Sequence, residues 1–153
     1  MLPLLARRHD ATIIAAVPGV YRRLLRGPLP TLPRLRHALS AGEKLPETNR
    51  EKWASATGTA THEAYGQTEC TGLATANVPG NCRFGSIGKP IDGVQIRISD
   101  QGEILIRGPG VISGYLNKPD KTADTIRDGW LHTGDVGRID EDGYVYIHDR
   151  LKD

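Results

Sequence analysis

Cysteine is scarce in this 153-residue chain, which holds only Cys70 and Cys82. Two cysteines cannot build a disulfide-dense secreted scaffold or a four-cysteine metal site. No stretch approaches the ~18 continuous apolar residues that a membrane span needs. The opening segment contains Arg7, Arg8, His9 and Asp10 and lacks the apolar centre of a signal peptide. No Asn-x-Ser/Thr acceptor occurs. These absences together predict a cytoplasmic protein with no membrane span. An excess of charge is also missing. Twenty Lys and Arg stand against 18 Asp and Glu, a net charge of +2, with no asymmetry expected along the chain. That balance disfavours nucleic acid as a partner, because phosphate neutralisation needs a basic face.

The common nucleotide motifs are missing as well. Gly80 to Ser86 has the glycine spacing of a P-loop, but Ser86 stands where the lysine must be. Gly108, Gly110 and Gly114 miss the dinucleotide spacing by one residue. No histidine pair has metal-ligand spacing.

Turn residues, by contrast, are abundant. Eighteen Gly and ten Pro in 153 residues exceed the usual ~12% and predict short elements joined by tight turns. Leu2 to His9 reads as a helix end. Ala11 to Val17 is a continuous apolar run suited to a strand buried on both faces. Pro18 opens a helix with Tyr21, Leu24 and Leu25 on one side and arginines on the other. Leu35 to Leu39 is a short strand. Pro46 to Ala56 is a helix with Trp53 on its apolar face and Gly58 at its end. Thr59 to Ala64 is a third strand. Such alternation predicts α/β architecture with a parallel sheet.

Beyond Pro79-Gly80 the hydrophobic period becomes two. Val94 to Ile98, the turn Asp100-Gln101-Gly102 and Glu103 to Arg107 form one hairpin. Val136 to Ile139, Glu141-Asp142-Gly143 and Tyr144 to His148 form another, with a helix from Pro119 to Arg127 between them. The expected organisation is an α/β subdomain over residues 1–79 and a small antiparallel, barrel-like subdomain over 80–148. The charged end, 149–153, follows.

Three stretches carry chemistry. Tyr65-Gly66-Gln67-Thr68-Glu69 follows a parallel strand, and ligands bind beyond such strand ends. Gly66 permits close backbone approach, Thr68 offers a hydroxyl, Glu69 is a hard oxygen ligand for Mg²⁺, and Tyr65 offers a flat face to a base. The alternative is a polar strand-to-loop turn. Asp135, in Trp130 to Asp135, can accept two hydrogen bonds from a ribose diol, or it can sit in a plain Gly-Asp turn. Ser40-Ala41-Gly42-Glu43 is a strand-to-helix turn. Cys70 reads as a small buried thiol. His62, His132 and His148 fall on strands and read as structural, and Trp53 and Trp130 as packing anchors.

In combination these stretches resemble the AMP-forming acyl-CoA synthetase family, part of the adenylate-forming superfamily. The matching segments are VPGVY at Val17, LSAGEKLP at Leu39, YGQTE at Tyr65, GSIGKPIDGVQIRI at Gly85, GEILIRGPGVISGY at Gly102, DGWLHTGDVGRIDEDGYVYI at Asp128 and DRLKD at Asp149. Their order is the family's order, and they cover nearly the whole chain.

The resemblance implies specific roles. The loop Tyr65, Gly66, Gln67, Thr68 and Glu69 would bind adenine and phosphate. Within it Tyr65 would pack on adenine, Thr68 would meet the α-phosphate, and Glu69 would hold Mg²⁺, making Thr68 and Glu69 the catalytic pair. Gly42, Glu43 and Lys44 would line adenine and the acyl pocket. Asp135 would accept from the ribose diol and Arg150 would contact ribose or phosphate. Lys152 would lie at a hinge to a further C-terminal domain. ATP, Mg²⁺ and coenzyme A are the implied cofactor and substrates, together with a carboxylic acid.

The family's Ser/Thr/Gly-rich phosphate loop and its C-terminal adenylation lysine are not among these residues. Thr57-Gly58-Thr59 matches the former only superficially. The sequence thus reads as an internal part of a fatty acyl-CoA synthetase, inactive alone, whose partners include the flanking parts of the same enzyme. An aryl-acid CoA ligase and a non-catalytic nucleotide-binding or interaction module are the alternatives.

Overall fold

A computed structural model of the protein describes residues 2–151. Two compact units divide the chain, Met1–Ala64 and Tyr65–Asp153. The change of hydrophobic period at Pro79-Gly80 therefore lies inside the second unit. Periodicity reports strand type. Packing sets the unit boundary, because Tyr65 is already part of the second core.

In the first unit, helix α1 (Leu2–Arg8) leads to strand β1 (Ile13–Ala16), helix α2 (Pro18–Leu24), strand β2 (His37–Ser40), helix α3 (Glu47–Thr57) and strand β3 (Thr61–Tyr65). Pro18 occupies the first turn of α2, where its missing N–H costs nothing. Gly58 closes α3 in the left-handed conformation and donates its N–H to Ala54 O. As expected, β1 and β2 pair in parallel, with Ile14 opposite Ala38, and β2 and β3 likewise, with Ala38 opposite Thr61.

One core holds Ile14, Tyr21, Leu35, Ala38 and Trp53. The Tyr21 and Trp53 rings meet edge to face at 4.8 Å. The single proton of the Tyr21 hydroxyl is shared between Leu39 O at 2.7 Å and Ile14 O at 3.1 Å, so one side chain ties α2 to two strands. Burial pushes its phenol up to about 12.

β1 departs from the expectation of a strand buried on both faces. Ile14 is buried, but Ile13 is 51% exposed and Val17 46%. Residues alternate across a strand. Within this unit the helix-bearing face is covered, and the face that carries Ile13 is not.

In the second unit a short antiparallel pair, β4 (Thr75–Ala76) with β5 (Lys89–Pro90), precedes a larger sheet. That sheet contains β6 (Gln95–Ile98), β7 (Glu103–Arg107), β8 (Ile126–Arg127), β9 (Trp130–Ile139) and β10 (Val145–Arg150). The order is β10-β9-β7-β6, with β8 on β9. Neighbours are antiparallel. Among the described residues the order does not close on itself, so the sheet is open rather than a barrel. Its core joins Tyr65, Cys70, Ala74, Ile104, Ile106, Leu131 and Val145.

Two local expectations are corrected here. Helix α4 (Pro119–Thr125) stops short of Arg127. Ile126 and Arg127 instead pair with Leu131 and Trp130 across Asp128-Gly129, both at positive φ. An Asp-Gly pair in that conformation makes a tight hairpin, and its pull outweighs helix continuation. Gly134-Asp135 is likewise not a turn between elements but lies inside the ten-residue strand β9.

Charge is also segregated, contrary to expectation. Residues 1–64 carry ten Lys and Arg against five Asp and Glu, net +5. Residues 65–153 carry ten against thirteen, net −3, which together restore +2.

Candidate active site

The second unit gathers Tyr65, Gln67, Asp135 and Arg150 around one carboxylate. The Tyr65 hydroxyl donates to Asp135 Oδ2 at 2.6 Å. Gln67 Nε2 donates to the same oxygen at 2.9 Å and to Thr133 O at 2.9 Å. Arg150 Nε donates to Oδ1 at 3.0 Å. Asp135 is 7% exposed, so these donors replace the water its buried oxygens have lost. Burial, followed by the adjoining carboxylate, raises the Tyr65 phenol far above its ordinary range. Tyr65 is therefore a neutral donor at any working pH.

A bulge aims Asp135. The register of β7 against β9 shifts between Glu103 and Leu105, which oppose Val136 and His132. β9 thus inserts two residues, and Gly134 takes φ +72°. Bulges of this kind re-aim side chains beside active sites. Glu103 braces it: Oε1 accepts from Gly134 N–H at 2.8 Å, and Oε2 lies 2.8 Å from His132 Nδ1. Thr133 Oγ1 donates to Ile104 O at 2.7 Å and accepts from Asp135 N–H at 3.0 Å. Glu103 and His132 were not read as part of the site. The available signal was a lone carboxylate opening the otherwise apolar run of β7, in which Glu103 to Ile106 are all buried.

Tyr65 is only 9% exposed and its hydroxyl serves Asp135. Most of its ring belongs to the core. Gly66 leaves no room for a side chain, because a Cβ there would lie 1.7 Å from Gly72 O. Its nearest neighbour is thus the returning loop of its own chain. Thr68, Glu69 and Cys70 form a single 3₁₀ turn (Thr68–Cys70) with Gln67 at its N-cap. Cys70 is buried, and its sulfur lies 3.1 Å from Gln67 N and 3.2 Å from Gln67 O. It acts as a cap of the turn.

Thr68 is exposed and Glu69 half-buried. Glu69 Oε1 accepts from the Tyr115 hydroxyl at 2.7 Å. That bond, with the residue's own backbone N–H, holds the carboxyl below its usual range. Among the described residues no group of three or more His, Cys, Asp or Glu could hold a metal. A lone carboxylate still suits Mg²⁺, which takes one or two carboxylates and completes its shell with substrate phosphate oxygens and water. Glu69, with its second oxygen, fits that use.

Gly42, Glu43 and Lys44 lie together on the exposed β2–α3 loop of the first unit. Leu45 N–H donates to Glu63 Oε1 at 3.0 Å and anchors that loop to β3. Glu43 is 3.8 Å from Arg22. The first unit also has an open cavity of about 570 Å³ lined by Gly19, Arg22, Arg23 and Arg26, none of which was read as a site residue. Lys152 falls outside the described residues. Cys70 carries a free thiol. His62 and His132 lie on β3 and β9, and His148 on β10. Trp53 is fully buried. Trp130 is half-buried beneath the Arg97 guanidinium, 4.3 Å from the ring centre. No helix among the described residues is long and apolar enough to cross a membrane.

The chain is similar to several known proteins. The 3-hydroxybenzoate–CoA ligase of Aromatoleum sp. (strain CIB) is 39% identical over 95% of this chain and 30% of its own length. A long-chain-fatty-acid–CoA ligase of Yersinia pestis is 37% identical over 95% of this chain and 28% of its own. The structure superposes with a TM-score of 0.84 on O-succinylbenzoate coenzyme A synthetase from Bacillus subtilis, solved in complex with ATP and magnesium ion. That match has 29% identity and covers 95% of this chain and 33% of the other. The chain thus spans under a third of the two curated relatives. The family described as AMP-binding enzyme matches residues 2–116, and the chain belongs to that family, alongside acyl- and aryl-CoA ligases.

Proposed function

We propose that this chain forms part of an ATP-dependent carboxylic acid–CoA ligase of the fatty acyl type. The observation that carries the reading is the Asp135 carboxylate, held by three donors from Tyr65, Gln67 and Arg150. A carboxylate oxygen has two lone-pair sites. Oδ2 has both filled and Oδ1 has one, so Oδ1 can still accept from a ribose hydroxyl. The Arg150 side chain is 74% exposed and can turn toward ribose or phosphate.

In the reaction, an oxygen of the acid attacks the α-phosphorus of ATP and pyrophosphate leaves. The sulfur of coenzyme A then attacks the acyl carbon and AMP leaves. Asp135 grips the ribose through both steps and fixes the α-phosphate in line. Thr68 donates its hydroxyl to an α-phosphate oxygen. Glu69 holds Mg²⁺, which when bound supplies positive charge against the meeting of two anions. Gly42, Glu43 and Lys44 border the adenine and acyl groups, and Tyr65 supports the adenine side. Lys152 lies at the hinge about which a further domain turns. By this reading residues 1–79 complete a nucleotide-binding subdomain, 80–148 form the small β subdomain, and 149–153 lead to the hinge.

Fatty acid is favoured as substrate by the segments GQTECTG and GEILIRGPGVISGY and by the Yersinia pestis relative. Aryl acid is the second reading, favoured by the 3-hydroxybenzoate ligase at 39% identity.

The test joins this chain to the flanking segments of a relative and measures ATP kinetics with palmitate and with benzoate. Asp135→Ala is expected to raise the ATP KM roughly ten- to a hundredfold, as one or two charge-assisted hydrogen bonds are lost. Glu69→Gln is expected to lower kcat more than it raises KM. An unchanged KM for Asp135→Ala removes the ribose assignment. A kcat for Glu69→Gln equal to the parent's removes the Mg²⁺ assignment. Faster turnover of benzoate replaces the fatty-acid reading by the aryl one.

A further inference from the structure

We infer that Tyr115 is a positioning residue for Glu69, a role resting on the reading of Glu69 as a cation ligand. The phenol donates to Glu69 Oε1 at 2.7 Å although the two residues lie 46 apart in sequence. One lone pair of Oε1 is thereby engaged, the carboxylate plane is fixed, and the second oxygen is left for a cation. Unheld, the side chain would rotate freely, and a lone carboxylate would lose that preorganisation.

The surroundings of Tyr115 form a built support. Its backbone N–H donates to Thr122 Oγ1 at 2.9 Å, and Thr122 donates to Lys118 O at 2.9 Å, which pins the tyrosine to α4. Gly114 precedes it at φ +154°, where an added Cβ would lie 2.6 Å from Thr122 Cγ2, so a side chain there would be strained and would displace Thr122. The Lys121 ammonium sits 4.4 Å from the ring centre, a cation–π contact that holds the ring in place. The loop before Tyr115 is stitched to the turn that carries Glu69. Ile112 N–H donates to Glu69 O at 2.9 Å, and the Thr71 hydroxyl donates to Gly110 O. Backbone and side chain of Glu69 are thus held by the same loop. Partners of this kind, one bond removed from a ligated ion, orient the ligand and set its affinity.

The experiment uses the 153-residue chain with MnCl₂ and ATP. It reads Mn²⁺ affinity from broadening of the Glu69 amide signal, and loop geometry from the amide shifts of residues 68–72. Tyr115→Phe keeps the ring and its stacking and removes one hydroxyl. The expected result is Mn²⁺ affinity weakened roughly 10- to 100-fold with the loop shifts in place. Thr122→Val, which frees the Tyr115 backbone, should weaken it in the same direction, and it decides the matter if Tyr115→Phe fails to fold. Unchanged Mn²⁺ affinity in a folded variant overturns the inference while the Glu69 reading stands. Collapse of the 68–72 shifts together with the affinity also overturns it, because Tyr115 is then only a prop for the loop. Absence of broadening at Glu69 in the parent chain removes the cation reading and the inference with it.

Discussion

His62 shows how one side chain can read as structural and still set a pH dependence. It lies on β3 at 7% exposure, with Nδ1 lacking a protein partner. Burial, and then the charge of His37 at 6.3 Å between ring centres, lowers its pKa below the ordinary 6.5. The unfolded chain therefore takes up the proton first as pH falls. Stability is complete above about 6.5 and is lost as pH drops through the lower folded value. Glu63, raised by burial, acts with the opposite sign: its favourable contribution is complete below the ordinary carboxylate value and fades as pH rises through the folded one. Urea unfolding at pH 7, 6 and 5, followed by Trp53 fluorescence in a Trp130→Phe background, should show a falling midpoint. His62→Phe should flatten that slope. An equal slope in the variant would assign the pH dependence to other groups.

At the scale of elements, the first unit depends on one aromatic contact between helices. Trp53 of α3 is 1% exposed and meets Tyr21 of α2 edge to face. Trp53→Ala removes the largest side chain of that core and leaves a cavity. The expected cost is about 3–5 kcal/mol, measured by urea unfolding with far-ultraviolet circular dichroism. A loss below about 1 kcal/mol would mean that the core relaxes around the gap. Element ends were legible wherever one residue decides them. Pro18 starts α2, Gly58 ends α3, and Asp100-Gln101-Gly102 turns β6 into β7. They were misread where two local signals competed. The helical pattern from Pro119 ran into the Asp128-Gly129 hairpin, and the hairpin, with strand β9 to pair with, prevailed.

For the whole molecule, the open face of the first unit's sheet sets behaviour in solution. Ile13 and Val17 are about half exposed, and no strand among the described residues pairs with the free edge of β1. Leu4 and Leu5 of α1 are 65% and 41% exposed as well. Unpaired edges and apolar patches promote association. Sedimentation velocity of the 153-residue polypeptide at rising concentration should show self-association, and Ile13→Thr should reduce it. A strictly monomeric parent at every concentration would show that the face is tolerated in water. The same polypeptide should release no fatty-acid-dependent pyrophosphate from ATP, since its relatives are more than three times as long. A burst of pyrophosphate would show that these residues suffice for the first half-reaction.

The sequence by itself determined the family, because seven short segments in a set order are readable without contacts. It also determined the order of the first unit's helices and strands and the β6–β7 hairpin, because proline, glycine and hydrophobic period act locally, but not the short strands β4, β5 and β8. Only the tertiary structure decided what the chemical groups do. Tyr65 reaches Asp135 across 70 residues, and Tyr115 reaches Glu69 across 46. Both meetings depend on strand register, on the two inserted residues of β9 and on the loop that docks onto the 3₁₀ turn. Glu103 reads as an ordinary strand residue along the chain, and only the register shift of β9 brings Gly134 onto it and makes it the brace of that bulge. Such pairings are set by how sheets and loops pack, and no spacing along the chain encodes them.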